Sequence, residues 1–419
     1  FTSVPNIMKV IEPLFLNDLK ESFENAIGNN KKLNQLLYRL KNIKIFDPAC
    51  GSGNFLIIAY KELRRLEMEI FKEMGSLALS EISLNQFYGI ELDDFAHEIA
   101  ILALWLTKHQ MNVEFFKEFG RTTPTLPLTD AGNIVQGNAC RLDWEEVCPK
   151  NEEDEVYILG NPPYLGGKKL NGYQKEDMTI AGLGKMKQVD YIGCWFCKAS
   201  DYIENSNRKY SFVTTSSICQ GEQVHLLWSY IFNKNLEISF SYAPFAWNNN
   251  AKGKAVVTCV IIGVQGINVK GEKFIYSISG RKSVKYIGPY LLEGSSLFVV
   301  PRSLPLSGLP VMCMGSNPVD GKNLIIDKDE YANLINQYPE SVKYVRRYMG
   351  GNDFMSDIER YCIWLDSDEN NLNAAQKIPF INNRITNCYN YRKHAGRDAK
   401  KSAHRPHEFC YKSHQEGSA

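Results

Sequence analysis

The sequence predicts an α/β chain: a doubly wound, seven-stranded sheet with an antiparallel last strand, followed by a mixed α+β domain. Three observations carry this. Short β-branched runs alternate with long helical patterns through the first half, as in a parallel sheet covered on both faces. The last two runs, "LEISFSYAP" and "AVVTCVIIGV", have only a loop between them, which fits a hairpin with one antiparallel strand. After about Lys270 the strands shorten and Pro, Gly and Asn mark many turns. The expected domains are therefore 1–268 and 269–419.

The elements follow in order. "FTSVPNIMKVIEPLFL" opens on a helix pattern. "IKIFDPA" is a strand, and "NFLIIAYKELRRLEMEIFKEMG" is the helix after it. "FYGIEL" is the second strand and leads into the helix "FAHEIAILALWLTKHQM". "NIVQGN" and "VYILGN" are the third and fourth strands; the latter must end at Pro162-Pro163, which have no backbone N–H to donate. "YIGCWFCKASDYIEN" is a helix before the fifth strand, "YSFVTTSS".

Net charge is +1 over 419 residues, so any nucleic-acid surface has to come from local clustering. The run "IAILALWL" (Ile99–Leu106) is too short to span a membrane. Eleven cysteines without a regular framework suit a reduced, cytoplasmic protein. Cys194-x-x-Cys197 lacks a second ligand pair and reads as a core-facing helix, so no metal site is expected. The chain opens without Met and trails off at "EFCYKSHQEGSA", as a fragment would.

"FDPACGSGNFL" joins the first strand to its helix. Gly51 and Gly53 allow a tight turn and close approach of a ligand, and the helix start offers free N–H groups. Asp47 at the strand end would repel a pyrophosphate but attract an ammonium. That combination suits an amino-acid-bearing nucleoside, S-adenosylmethionine. The expected cofactor loop comprises Asp47, Pro48, Ala49, Cys50, Gly51 and Gly53, with Cys50 packing within it rather than acting as a nucleophile. "YGIELDD" places Glu91, followed by Leu92, where such sheets hold the ribose hydroxyls. After the third strand, Asn138 or Asp143 would meet the adenine ring; Asn138 comes sooner and is preferred.

Asn161-Pro162-Pro163-Tyr164 closes the fourth strand, beside the cofactor's methyl group if ligands bind at the carboxyl ends of the strands. An exocyclic amine on adenine is a poor nucleophile because its lone pair is delocalised. The Asn161 side-chain oxygen and the Pro162 carbonyl can each accept one of its N–H groups and aim the lone pair at the methyl. Pro163 stiffens the turn, and Tyr164 offers a ring for stacking. A base reaches such a pocket only after leaving the duplex.

"FDPACGSG", "YGIEL" and "GNPPY", in that order, resemble the amino-methylating DNA methyltransferases whose target-recognition domain follows at the C-terminus. The resemblance implies a class I methyltransferase sheet and a site-specific adenine-N6 enzyme that flips its base out of double-stranded DNA. It also implies that Phe1, Thr2 and Ser3 close over the methionine part of the cofactor. "FAWNNNAKGKAVVTCVIIG" and "VDGKNLIIDKDE" are further similar to the MmeI-like enzymes, single-chain restriction–modification proteins with an N-terminal nuclease. In that resemblance Phe245 or Trp247 packs on the flipped adenine opposite Tyr164. No convincing nuclease constellation occurs in this chain, so a cleavage domain would have to precede Phe1.

The far end is basic. Arg384, Arg392, Lys393, Arg397, Lys400, Lys401 and Arg405 surround a single acid, Asp398, with Tyr389 and Tyr391 among them. They are the expected DNA-binding residues, a solvated face being the plain alternative. Two rival functions are an RNA or protein-glutamine methyltransferase and a catalytically silent DNA-specificity subunit. The basic C-terminal domain speaks against a small protein target. The intact glycine loop and N-P-P-Y speak against a silent subunit.

Overall fold

The structure is a computed structural model that describes residues 2–76, 79–121, 132–152, 154–186, 188–247, 257–302, 304–308, 315–365 and 368–413. It divides into two compact units, Phe1–Pro301 and Arg302–Ala419.

The first unit is built on strands β1 (Lys44–Asp47), β2 (Phe87–Glu91), β3 (Asn133–Gln136), β4 (Val156–Gly160), β5 (Lys209–Thr215), β6 (Leu236–Trp247), β7 (Val257–Gly266), β8 (Lys273–Ser277) and β9 (Gly280–Val284). Their spatial order is β3-β2-β1-β4-β5-β7-β6-β8-β9. Strands β1 to β5 are parallel, and β7 lies antiparallel between β5 and β6. The expected antiparallel strand is thus present, and it is inserted between two parallel ones.

The continuous apolar runs have a simple cause. Successive side chains point to opposite faces, and both faces are covered. Ile45 on β1, with Tyr157 and Leu159 on β4, belongs to a core shared with the helices Val4–Ile11, Asn30–Asn42 and Asn54–Met74. Phe46, Val156 and Ile158 face the other core, with helices Gly193–Ile203 and Glu222–Phe232. Cys194 and Cys197 are both buried in that second core, as core-facing residues.

Two expectations need correction. The sheet does not stop at the seven strands read from the sequence: β8 pairs parallel with β6, and β9 closes a hairpin on β8. The division between units therefore comes later than 268/269, because residues taken as the start of the second domain complete the first sheet.

The second unit carries a three-stranded antiparallel sheet, β10 (Ile325–Asp327), β12 (Arg360–Ile363) and β11 (Val345–Tyr348) in that spatial order. The helices Lys328–Gln337 and Pro379–His394 accompany it, and Leu324, Ile326, Ile363, Ile381 and Phe409 share its core.

Candidate active site at the switch point of the sheet

The chain leaves β1 for β2 and β3 on one side, then returns to place β4 on the other. The carboxyl ends of β1 and β4 flank this reversal, where open α/β sheets bind ligands. The glycine loop follows β1 and Asn161–Tyr164 follows β4, so two motifs over a hundred residues apart in sequence become neighbours.

The loop is held from several sides. Gly51 and Gly53 adopt positive φ of 53° and 81°, which a side chain disfavours. The Cys50 N–H donates to the Ile90 carbonyl at 3.0 Å, and the Gly51 N–H donates to Glu91 Oε2 at 2.7 Å. Glu91 Oε1 accepts from the Asp93 N–H at 2.9 Å. Glu91 thus anchors the loop as well as standing at the end of β2. Trp195 donates its indole N–H to the Pro48 carbonyl at 3.0 Å. Cys50 is buried, and burial pushes its thiol far above the usual range, as befits a packing residue.

Asp47 is 1 % exposed. Its Oδ1 accepts from the Ala49 N–H at 3.0 Å, while Oδ2 accepts no hydrogen bond. Burial raises its pKa to about 8; the Ala49 bond opposes this, and the charge of Glu91 adds to it. A Cβ on Gly160, at the end of β4, would stand 2.5 Å from Asp47 Oδ1. Glycine there is what lets the two strand ends approach. One residue on, Asn161 Oδ1 is also buried without a partner. Two acceptor oxygens without donors among the described residues thus lie on adjacent strand ends.

Two cavities open here. One, of about 490 Å³, is lined by Thr2, Ala49, Cys50, Gly51, Asn54, Phe95 and Asn161 among others. The other, of about 330 Å³, is lined by Pro48, Ala49, Glu91, Leu92, Asn138, Asn161, Pro163, Tyr191 and Trp195 among others. Ala49 and Asn161 border both. Among the cofactor residues expected at the ends of the first three strands, all but Asp47 and Gly53 line one of the two. Those two lie beneath and behind the loop. Asp143 does not line them; its carboxylate caps the short helix Trp144–Val147.

Asn138 is fixed in a network that the sequence did not reveal. Its Oδ1 accepts from the Cys140 N–H at 2.9 Å and its Nδ2 donates to Asp177 Oδ2 at 3.1 Å. Asp177 also accepts from the Tyr191 hydroxyl at 2.7 Å and from Arg141 Nε at 2.6 Å. Burial would raise the Asp177 pKa, but these three donors together hold it below the usual carboxylate range. Asp177 and Trp195 are residues of this arrangement that sequence reasoning missed, since their partners lie 14 to 147 positions away.

Pro162 is buried and Pro163 exposed. The Tyr164 hydroxyl lies 3.7 Å from the Cys259 thiol on β7. Cys259 pairs directly with Phe245 on β6, so the two residues project from the same face. The structure therefore brings Phe245 to the same end of the sheet as Tyr164, with the Lys9 ammonium 4.2 Å from its ring centre. Phe1 and the Trp247 side chain lie outside the described residues.

The basic tail divides into buried and exposed members. Arg392 is fully buried, and its guanidinium donates to the carbonyls of Pro318, Val319, Ser402, Arg405 and Glu408. It is a strut of the second unit and faces no phosphate, because all its donors serve the main chain. Arg384 is tied to Glu330 and the Lys322 carbonyl. Arg405 is tied to Glu408 and the Cys410 carbonyl. Lys393, Arg397, Lys400 and Lys401 are exposed.

Residues 23–277 match the family described as "MmeI, DNA-methyltransferase domain", and residues 293–419 match "MmeI, target recognition domain". The chain is 44% identical over 419 residues to DNA methyltransferase A of Bacillus subtilis (strain 168), covering 98% of this chain and 47% of that protein. It is 26% identical over 164 residues to the type II restriction enzyme and methyltransferase RM.Eco57I of Escherichia coli, covering 33% of this chain and 16% of that protein. The solved structure of the Type IIL restriction–modification enzyme MmeI in complex with DNA superposes with a TM-score of 0.85 at 37% identity, over 99% of this chain and 57% of that one. The chain thus spans about half the length of the B. subtilis relative and of MmeI. With the glycine loop and N-P-P-Y meeting at the switch point and both family models matched in order, the chain belongs to the MmeI family, as its methyltransferase domain followed by its target recognition domain.

Proposed function

We propose that this chain transfers a methyl group from S-adenosylmethionine to N6 of an adenine flipped out of double-stranded DNA. It would be the modification part of a restriction–modification enzyme whose nuclease lies outside residues 1–419. The reading carries a cytoplasmic location with it. The observation that supports it most is the pair of buried, partnerless oxygens, Asp47 Oδ2 and Asn161 Oδ1. Each fits a donor the reaction brings: a ligand ammonium for Asp47 and the amino group of the target base for Asn161.

The cofactor, when bound, supplies an electrophilic methyl on a sulfonium; the rest is the work of the chain. Glu91 and Asn138 line the cavity suited to the nucleoside. Thr2, Gly51 and Asn54 line the one beside it. The Asn161 amide oxygen and the Pro162 carbonyl accept the two N–H groups of the amine, which returns its lone pair to nitrogen. Because these acceptors are fixed before the base arrives, they need no reorganisation as charge develops. Asn161 and Pro162 would hold the amine with its lone pair towards the electrophilic methyl that the cofactor would supply, so no enzyme nucleophile is called for, in keeping with the raised, inert Cys50 thiol. Tyr164 and Phe245 would hold the ring.

Labelled S-adenosylmethionine and a random-sequence duplex library test the reading. Label in N6-methyladenine at a defined sequence is expected. Label only in RNA or in protein glutamine would establish a rival instead. Asn161→Ala should keep cofactor affinity near that of the parent while turnover falls by orders of magnitude, because its acceptor acts mainly as the amine becomes nucleophilic.

A further inference from the structure

The hairpin β8–β9 extends the sheet beyond the strands that build the site. Strand β6 is parallel to β5 through their shared neighbour β7, and β8 is parallel to β6. The β8–β9 turn therefore lies at the same end of the sheet as the glycine loop and Asn161. Its lateral position follows from the pairings. Phe245 sits opposite Cys259, whose thiol meets the Tyr164 hydroxyl. Tyr276, one residue before the turn begins at Ser277, pairs with Tyr242 of β6. At about 4.8 Å between strands, the turn stands roughly 5 Å to the side of the strand that carries Phe245.

The hairpin's chemistry is unlike the rest of a sheet edge. Ile278 at its tip is fully exposed. Residues 270–285 carry Lys270, Lys273, Arg281, Lys282 and Lys285 against one acid, Glu272. Lys273 pairs with Glu237 and Lys282 with Glu293. Arg281 rests 5.0 Å from the centre of the Phe274 ring. Arg281, opposite Tyr276 beside the turn, is exposed and forms no ion pair among the described residues, whereas Lys285 follows Val284, which pairs with Lys273 at the other end of the hairpin. An edge strand is commonly protected by charge, but protection alone does not call for a bare isoleucine at the point nearest the site.

We propose that the β8–β9 hairpin is a duplex-DNA contact that flanks the target base, with Arg281 on a phosphate and Ile278 on the groove beside the extruded nucleotide. This rests on the function proposed above. A duplex delivering a base between Tyr164 and Phe245 has a major groove about 12 Å wide, more than twice the lateral step to the turn. The duplex therefore covers the hairpin whenever the base is in place. The charge of the hairpin matches that partner.

The test uses the whole chain, a random-sequence duplex and a salt titration, with two variants. Arg281→Gln should weaken duplex binding and flatten the salt dependence by a slope of about 0.9, for the one phosphate no longer neutralised. Ile278→Ser should weaken binding severalfold and leave the slope unchanged, since an apolar surface releases no counterions. Neither change should alter S-adenosylmethionine affinity, which also reports that the first unit is folded. If both variants bind duplex DNA with parental affinity and slope, the hairpin assignment is overturned while the methyltransferase reading stands. If the parent chain binds no duplex DNA, that reading falls and the hairpin assignment falls with it.

Discussion

A carboxyl group that keeps its proton up to about pH 8 turns the capture of a cation into a proton-releasing event. Asp47 is such a group, and burial is the main cause. Below pH 8 the free site is protonated; on the proposed reading a ligand ammonium would need the carboxylate, and binding would have to expel the proton. Cofactor affinity should therefore climb about tenfold per pH unit from pH 6 towards 8 and then level off. Calorimetry in buffers of differing ionisation enthalpy should find close to one proton released per cofactor at pH 7, and Asp47→Asn should abolish both effects. A pH-independent affinity in the parent chain would separate Asp47 from the ammonium. Asp177 acts at one remove, through the Asn138 amide and the Tyr191 hydroxyl. Asp177→Asn should raise the KM for cofactor about tenfold, the scale of one charge-assisted hydrogen bond, and leave kcat at saturating cofactor nearly unchanged. A fall in kcat alone would mean the network serves the target base instead.

Between elements, one close constraint is the meeting of the β4 end with the β1 end. Gly160 has a φ of 154°, and a methyl group there would collide with Asp47. Gly160→Ala should lower stability by about 1–3 kcal/mol through overpacking and weaken cofactor binding as well. In an Asp47→Ala background the same change should cost much less stability, and a thermal-unfolding double-mutant cycle measures the difference. The sequence announced much of this architecture. Apolar runs such as "VYILG" are continuous because each side chain meets one core or the other. The site motifs were legible because each is a short turn closing a strand. Strands β8 and β9 were hidden: four of the five β9 residues are exposed, so their pattern looks like that of a loop. Arg392 misled for a different reason. A cation in a basic run reads as surface, and the five carbonyls that surround it come from segments up to 74 positions away.

At the scale of the whole chain, the second unit holds a core of its own, and Arg392 ties residues 402–408 to Pro318 and Val319. Arg392→Met would leave five carbonyls short of a donor, three of them in buried hydrogen bonds, and the loss should reach several kcal/mol. Calorimetric unfolding should show the second unit melting early while S-adenosylmethionine binding by the first persists. Loss of both together would show that the units fold as one. Neutralising Lys400 and Lys401 should leave folding intact and reduce the salt slope of duplex binding by about 2; an unchanged slope would make that face merely solvated.

The order of strands also sets a timetable for synthesis. Strand β1 is an interior strand, third of nine, and its second neighbour begins at Val156, which pairs with Lys44 about 110 residues upstream. At roughly 5–20 residues per second on the ribosome, β1 stands with one bare edge for about 6–20 s after it emerges. An unpaired strand edge is a template for association with another chain. The edge of β1 therefore stays open to association until β4 is made, and chaperone binding to it should fall once Gly160 has cleared the exit tunnel, when the bare edge passes to β4.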